Sequence, residues 1–247
     1  MKKDSELVKI IQQCLMDPAE FVRQTTPITL REYQKAPLYA IVDSVRRRAG
    51  LSFVVMFPRQ SGKNELQAHL EAYLLCTYML HHAEIVKISP TWKPQTLNAM
   101  RRLERVLQSN KFTQKDFFKE SGYIFRFNTS RIYFFSGQPR SNIVGATANI
   151  LLEVDEAQDI LPAKFDKDIA PMAASTNATR VFWGTAWTSR TLLARELQAA
   201  RKAEKIDGIR RVFVLSADEV RKEVPAYGDF VDGQVKRLGR QHPMVRT

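Results

Sequence analysis

A chain of 247 residues, 44% of them hydrophobic, can bury one large α/β core or a core with a small appendage. Its 38 Lys and Arg against 26 Asp and Glu leave a net charge of +12, which points to a polyanionic partner, nucleic acid being the usual one. The two cysteines, Cys14 and Cys76, stand far apart in no metal-ligand or disulfide pattern, no apolar run reaches membrane-spanning length, and the first residues carry no secretory h-region; a disulfide-framed secreted domain and a membrane protein are excluded, and a cytoplasmic protein is expected.

In chain order, Leu7, Ile10, Ile11 and Leu15 form a helical stripe that predicts a helix over residues 4–16, broken by Asp17-Pro18. A loop with Pro27 covers residues 25–29. Leu30-Arg31-Glu32-Tyr33-Gln34 leads into a helix to about residue 48, where Arg46-Arg47-Arg48 complements the helix dipole or contacts a polyanion. A strand at 52–57 feeds a polar loop with Gly62-Lys63, and a helix follows over 66–80. A second strand is predicted at 83–89. Ser89-Pro90-Thr91 then turns into a helix over 93–108, whose polar face carries Arg101, Arg102 and Arg105, solvated or facing nucleic acid. Residues 123–127 and 131–135 alternate apolar and polar around Asn128-Thr129-Ser130, a β-hairpin. A loop over 138–147 enters the strand 150–154. Beyond it come a helix at 162–174, a strand at 180–185, a helix at 191–205, a strand at 209–215 and two short helical pieces. This alternation implies an α/β fold, a mostly parallel sheet covered by helices on both faces. The expected division is an N-terminal helical extension at 1–30, a core at 31–205 and a small C-terminal lid or linker at 206–247.

Strand, loop with Gly62-Lys63, and helix is the arrangement a phosphate-binding loop needs. A helix N-terminus offers unpaired N–H groups and the positive end of its dipole, and a lysine at the loop's end adds a point charge for the β- and γ-phosphates. The usual pattern has glycine where Phe57 stands and serine or threonine where Asn64 stands, so the loop by itself also fits an ordinary β–α turn. The second half of the site is Ile150-Leu151-Leu152-Glu153-Val154-Asp155-Glu156. A carboxylate at the end of such a strand, Asp155, can hold Mg²⁺, and the next, Glu156, can act as general base on the attacking water. An acidic helix cap is the bland alternative for that strand. Loop and acidic strand together point to an ATPase. Glu153 interrupts the apolar run, and no role is assigned to it.

With these elements placed, the chain resembles the ATPase domain of tailed-phage terminase large subunits, the DNA-packaging motors. The resemblance is carried by Arg59-Gln60-Ser61-Gly62-Lys63, which is similar to the family's deviant phosphate loop, and by Tyr33-Gln34, similar to its adenine-recognition motif. It is carried also by Ile88-Ser89-Pro90-Thr91 with Gln95, by Val144-Gly145-Ala146-Thr147 ahead of Asp155-Glu156-Ala157, and by Gly184-Thr185-Ala186, similar to the coupling motif. It covers residues 30–240. It implies a P-loop NTPase fold of the RecA-like (ASCE) class, in which an extra strand separates the loop strand from the acidic strand; the strand at 83–89, which lies between those two in sequence, is the material for it. ATP and Mg²⁺ are the implied cofactors. Arg59, Gln60, Ser61, Gly62, Lys63 and Asn64 would hold the phosphates, Tyr33 and Gln34 the adenine, Asn64 and Asp155 the metal; Thr185 would sense the γ-phosphate. Family members use an arginine from a neighbouring subunit, for which Arg140 is the candidate and Arg131 and Arg190 its rivals, while Arg59 could act in cis. The implied partners are double-stranded DNA, a homo-oligomeric ring (a pentamer), the portal protein, the small terminase subunit and a nuclease domain that would begin near Gln241-His242-Pro243-Met244. The implied place is the host cytoplasm, at the portal vertex of the procapsid. Two alternatives stand beside this. Asp155-Glu156-Ala157-Gln158 and Tyr33-Gln34 also resemble a superfamily 2 helicase, and Phe57 with Asn64 would suit a non-catalytic DNA-binding module on a degenerate P-loop.

Overall fold

The apolar runs that lack alternation become strands covered on both faces. A computed structural model describes residues 11–143, 145–185 and 188–242. The first part of the helix expected at 4–16, and Val144, Ala186, Pro243 and Met244, lie outside the described residues. Residues 11–16 are helical, and the helices after them are α1 (Pro18–Thr25), α2 (Glu32–Arg46), α3 (Lys63–Thr77), α4 (Leu97–Ser109), α5 (Leu192–Asp207), α6 (Ala217–Glu223) and α7 (Pro225–Leu238). The strands are β1 (Ser52–Met56), β2 (Glu84–Ser89), β3 (Phe117–Glu120), β4 (Ile124–Phe127), β5 (Ser130–Ser136), β6 (Leu151–Val154), β7 (Thr179–Gly184) and β8 (Val212–Val214).

The strands form one sheet in the order β3-β4-β5-β2-β6-β7-β1-β8. From β5 to β8 every pairing is parallel, and β3 and β4 extend the β5 edge as an antiparallel ribbon. The strand between β1 and β6 is not the one at 83–89 that the chain order offered for that place. It is β7, the last of the three in the chain, which pairs Val55 with Trp183 on one side and Glu153 with Val181 on the other. The strand that lies between them in sequence, β2, flanks β6 on its far side.

Side chains divide between the faces with the strand period of two. Val55, Ile85, Leu151 and Trp183 pack under α1 to α4. Val54, Val86, Leu152 and Phe182 pack against α5 and a run of short helical turns over residues 162–173. That run is the helix expected at 162–174, broken into pieces. Pro18 does more than break a helix: it opens α1 at the first helical position, and Asp17 caps it by accepting the Ala19 and Glu20 N–H groups at 2.9 and 3.1 Å. β3 was not anticipated, because its largely exposed Phe-Phe-Lys-Glu carries no alternation. β8 adds to the core sheet beside β1 within the segment assigned above to a lid, and Val220 of α6 joins the main core. Both cysteines are buried and unpaired, and no described helix is long and apolar enough to cross a membrane.

Glu153 acquires a setting here. It lies fully buried on β6 and accepts the Trp183 indole N–H at 2.8 Å. Lys87 of β2 and Glu71 of α3, also buried, form an ion pair beside it. Burial pushes the Glu153 carboxyl well above the usual carboxylate range; Lys87 opposes this and Glu71 adds to it. Burial disfavours the Lys87 ammonium, but Glu71, Glu153 and Asp155 together outweigh that and raise its pKa. Removing the cation strands two acids in the core, a change that costs about 3–5 kcal/mol for a buried pair. Lys87→Met is therefore expected to lose stability on that scale in urea denaturation, and a midpoint unchanged from wild type would show that the acids do not depend on it.

Candidate functional site

The carboxyl ends of β1, β6 and β7 meet at one edge of the sheet, the place where open α/β sheets take ligands. A cleft of about 860 Å³ opens there. β1 delivers the loop over residues 57–62 and the start of α3, β6 delivers Asp155 and Glu156, and β7 delivers Thr185.

The loop turns on two left-handed residues, Gln60 (φ 64°) and Gly62 (φ 89°). Gly62 is needed twice over, since a Cβ there would also lie 2.8 Å from Gln34 Nε2. The buried Ser61 hydroxyl donates back to the Pro58 carbonyl at 2.6 Å and closes the loop on itself. Lys63, at the start of α3, is 6% exposed, and its Nζ lies 2.7 Å from Glu156 Oε1. Glu156 itself sits in left-handed backbone (φ 44°, ψ 50°), a strained state for a non-glycine residue and one that gathers at functional sites. Gln158 holds its other oxygen, donating from Nε2 at 2.6 Å, and accepts the Thr185 N–H at 3.3 Å. Thr185 donates its hydroxyl to the Phe57 carbonyl at 3.3 Å, and Phe57 donates its N–H to the Gly184 carbonyl at 3.1 Å. Loop, acidic strand and β7 are thus joined through side chains in one circuit.

Asp155 is buried, and one of its oxygens accepts from Gln67 of α3 at 3.0 Å. Asn64 is exposed in the first turn of α3 and lines the cleft, as do Arg59, Gln60 and Thr185. Burial, and then Glu156, raise the Asp159 carboxyl at the rim. His69, and Arg102 after it, hold the Glu65 carboxyl down to about 2 against the opposing pull of burial. That use of Arg102 takes one arginine of the α4 polar face into the cleft, while Arg101 and Arg105 stay exposed. Arg46 of the Arg46-Arg47-Arg48 run is a structural tie: it donates to the Leu15 and Met16 carbonyls at 2.8 and 2.7 Å.

Gln34 lines the cleft, whereas the Tyr33 hydroxyl donates to the Ser61 carbonyl at 2.8 Å and its ring meets Phe57 edge-on at 5.9 Å. Arg140 and Arg190 are exposed and Arg131 pairs with Glu120 at 3.4 Å; the cleft of the same chain brings in none of the three. Sequence reasoning assigned no site role to Arg31, Gln158 and Asp159 at the cleft wall or to Gln67 behind Asp155. Only Gln158 had a signal, its place two residues after Glu156.

Loop, helix N-terminus and an acid pair one strand removed define the fold of a P-loop NTPase. Among solved structures the chain is similar to phage large terminases. The HK97 bacteriophage large terminase superposes with a TM-score of 0.68 at 18% identity, over 82% of this chain and 44% of that one. The Thermus phage P74-26 large terminase ATPase domain gives 0.57 at 15%, over 79% and 88%. The large terminase of the thermophilic bacteriophage D6E in complex with ADP gives 0.59 at 14%, over 83% and 50%. The fold is therefore that of a phage large-terminase ATPase domain, and the chain spans 44% of the length of the HK97 protein. No protein-family model and no curated protein matches the sequence.

The loop's demand for glycine is open to test. Gly62→Ala puts a Cβ into left-handed backbone, at about 1–2 kcal/mol, and against the Gln34 amide. Guanidinium denaturation should show at least that loss, and an unshifted midpoint would mean that the loop rearranges without cost.

Proposed function

We propose that this chain is the ATP-hydrolysing motor domain of a terminase large subunit and that it drives double-stranded DNA into a procapsid. The observation that carries the proposal is the Lys63–Glu156 ion pair, which brings a loop lysine and an acid from another strand to 2.7 Å within a terminase-like fold. The triphosphate would lie on the N-terminus of α3, cradled by backbone N–H groups of residues 60–63. Its β- and γ-phosphates compete with Glu156 for the Lys63 ammonium. As they take Lys63, the Glu156 carboxylate, still held by Gln158, turns to the attacking water as general base. Thr185, bonded both to Gln158 and to the loop, is placed to register loss of the γ-phosphate.

Asp155 and Asn64 supply the hard oxygen donors Mg²⁺ takes, a carboxylate and an amide, and both line the cleft. Gln67 occupies only one Asp155 oxygen, so the residues present fit the ion. Mg²⁺ would offset charge on the β- and γ-phosphates. The net charge of +12 supports a grip on the DNA backbone without base reading. A homo-oligomeric ring on the portal protein at the procapsid vertex, in the host cytoplasm, with the small subunit and a nuclease domain, completes the proposal. The exposed turn that carries Arg140 would lend that arginine to a neighbour's cleft.

Lys63→Ala should abolish ATP binding, measured by calorimetry. Glu156→Gln should keep binding and lose turnover about 10²–10⁴-fold, the usual worth of a general base. Full turnover in either variant would sink the assignment. Turnover per chain should also rise with protein concentration and collapse in Arg140→Ala, and mixing that variant with Glu156→Gln should recover some activity through composite sites. Turnover indifferent both to concentration and to Arg140 would argue for a site complete within one chain.

A further inference from the structure

The first turn of α2 holds the last two carbonyls of the phosphate loop. Gln34 is 4% exposed; its Oε1 accepts the Arg31 backbone N–H at 2.9 Å and its Nε2 donates to the Gly62 carbonyl at 2.9 Å. The Tyr33 hydroxyl donates to the Ser61 carbonyl at 2.8 Å while accepting from Arg31 Nη1 at 2.8 Å, and Arg31 reaches the same carbonyl at 3.3 Å. Ser61 and Gly62 are the last residues before α3, so the donors on their carbonyls fix the peptide planes from which the loop's N–H groups point.

A distant element sets this turn in place. Arg31, the N-cap of α2, gives the helix no side-chain cap through its own guanidinium, and the N–H groups of Glu32 and Tyr33 lack intrahelical partners. Both go to Glu223, the last residue of α6, at 3.1 and 3.4 Å. The Glu223 carboxylate also lies at the positive end of the α2 dipole. α6 is anchored by the fully buried Val220, with Val224 and Tyr227 packed on the same core. Hydrogen bonds thus tie α6 to the backbone of the first turn of α2, and side chains of that turn to the two loop carbonyls.

We infer that this turn is a positioning clamp on the phosphate loop, set from the C-terminal helices through Glu223, and that Tyr33 and Gln34 tune triphosphate binding without reading the base. The inference rests on the nucleotide reading above. It predicts that disturbing the clamp weakens every nucleoside triphosphate alike, whereas loss of a base-reading side chain weakens one base selectively.

The test is equilibrium binding of Mg·ATP and Mg·GTP to the full chain, with thermal unfolding recorded for each variant. Tyr33→Phe, which removes only a hydroxyl, Gln34→Leu and Glu223→Gln should each weaken both nucleotides by a common factor of about two- to tenfold, the worth of one hydrogen bond. Glu223→Asp should restore part of the loss. A Gln34→Leu variant that loses ATP affinity and keeps GTP affinity would overturn the clamp in favour of base reading. Wild-type binding by Glu223→Gln would overturn the link to α6. Binding unchanged in Lys63→Ala would overturn the nucleotide reading itself, and the clamp with it.

Discussion

The Lys63 ammonium and the Glu156 carboxylate, 2.7 Å apart, join the loop after β1 to the end of β6 across 93 residues of chain. Lys63 is almost wholly withdrawn from solvent, and a withdrawn cation without a counter-charge would be costly. Its partner could not come from the neighbouring strand β7, whose last residues are Trp183 and Gly184. It comes from one strand further, so that β7 stands between the loop and the acid at the floor of the cleft. The same insertion puts Thr185 between the two, where it bonds both to Gln158 and to the Phe57 carbonyl. Gly184 belongs to this constraint, since a Cβ there would lie 2.5 Å from Gln158 Oε1 and displace the amide that joins Glu156 to Thr185.

Beneath that pair lies a second polar layer, and its members stand on the elements that carry the site. Glu71 and Gln67 are on α3, which begins at Lys63; Glu153 is two residues before Asp155; Trp183 is two before Thr185. Gln67 reaches Asp155, and Trp183 reaches Glu153. Apolar packing would hold three elements together but would leave their relative heights along the sheet loosely set. Directional bonds in a low-dielectric core fix those heights, because a displaced donor or acceptor there is left unsatisfied. The acids and the loop lysine thereby rest on a rigid base, as a preorganised site requires.

The two halves of the site were legible because each is local. A β-branched run, Gly62-Lys63 and a helical stripe are contiguous, and so are an apolar strand and Asp155-Glu156. The order of strands was legible only in kind. Nothing in residues 179–184 says that this strand inserts between two earlier ones, since the insertion is decided by packing on both faces. Glu153 was anomalous in sequence for the same reason: its partners, Lys87 and Trp183, come from the strands on either side. Tyr33 and Gln34 were found by resemblance, but their engagement with the Ser61 and Gly62 carbonyls depends on a contact across the fold. Arg31 and Gln67 had no pattern at all, because a single polar side chain pointing inward from a helix reads the same as one pointing outward.

The departures from the usual phosphate loop resolve in physical terms. Phe57 stands where glycine is customary, yet it precedes Pro58, which biases it to extended backbone. The chain uses it that way: its N–H pairs with Gly184, its carbonyl takes the Thr185 hydroxyl, and its ring is buried against Tyr33. Phe57 is in effect one more rung of the β1–β7 ladder. The conformational freedom that a glycine would supply there is moved downstream, to Gln60 and Gly62, where the positive φ angles fall. A glycine at 57 would remove the ring that Tyr33 packs on, and with it part of the support for the hydroxyl that holds Ser61. The aromatic residue therefore strengthens the loop from the side opposite the cleft, which is why a sequence that departs from the pattern can still build the geometry the pattern was selected to describe.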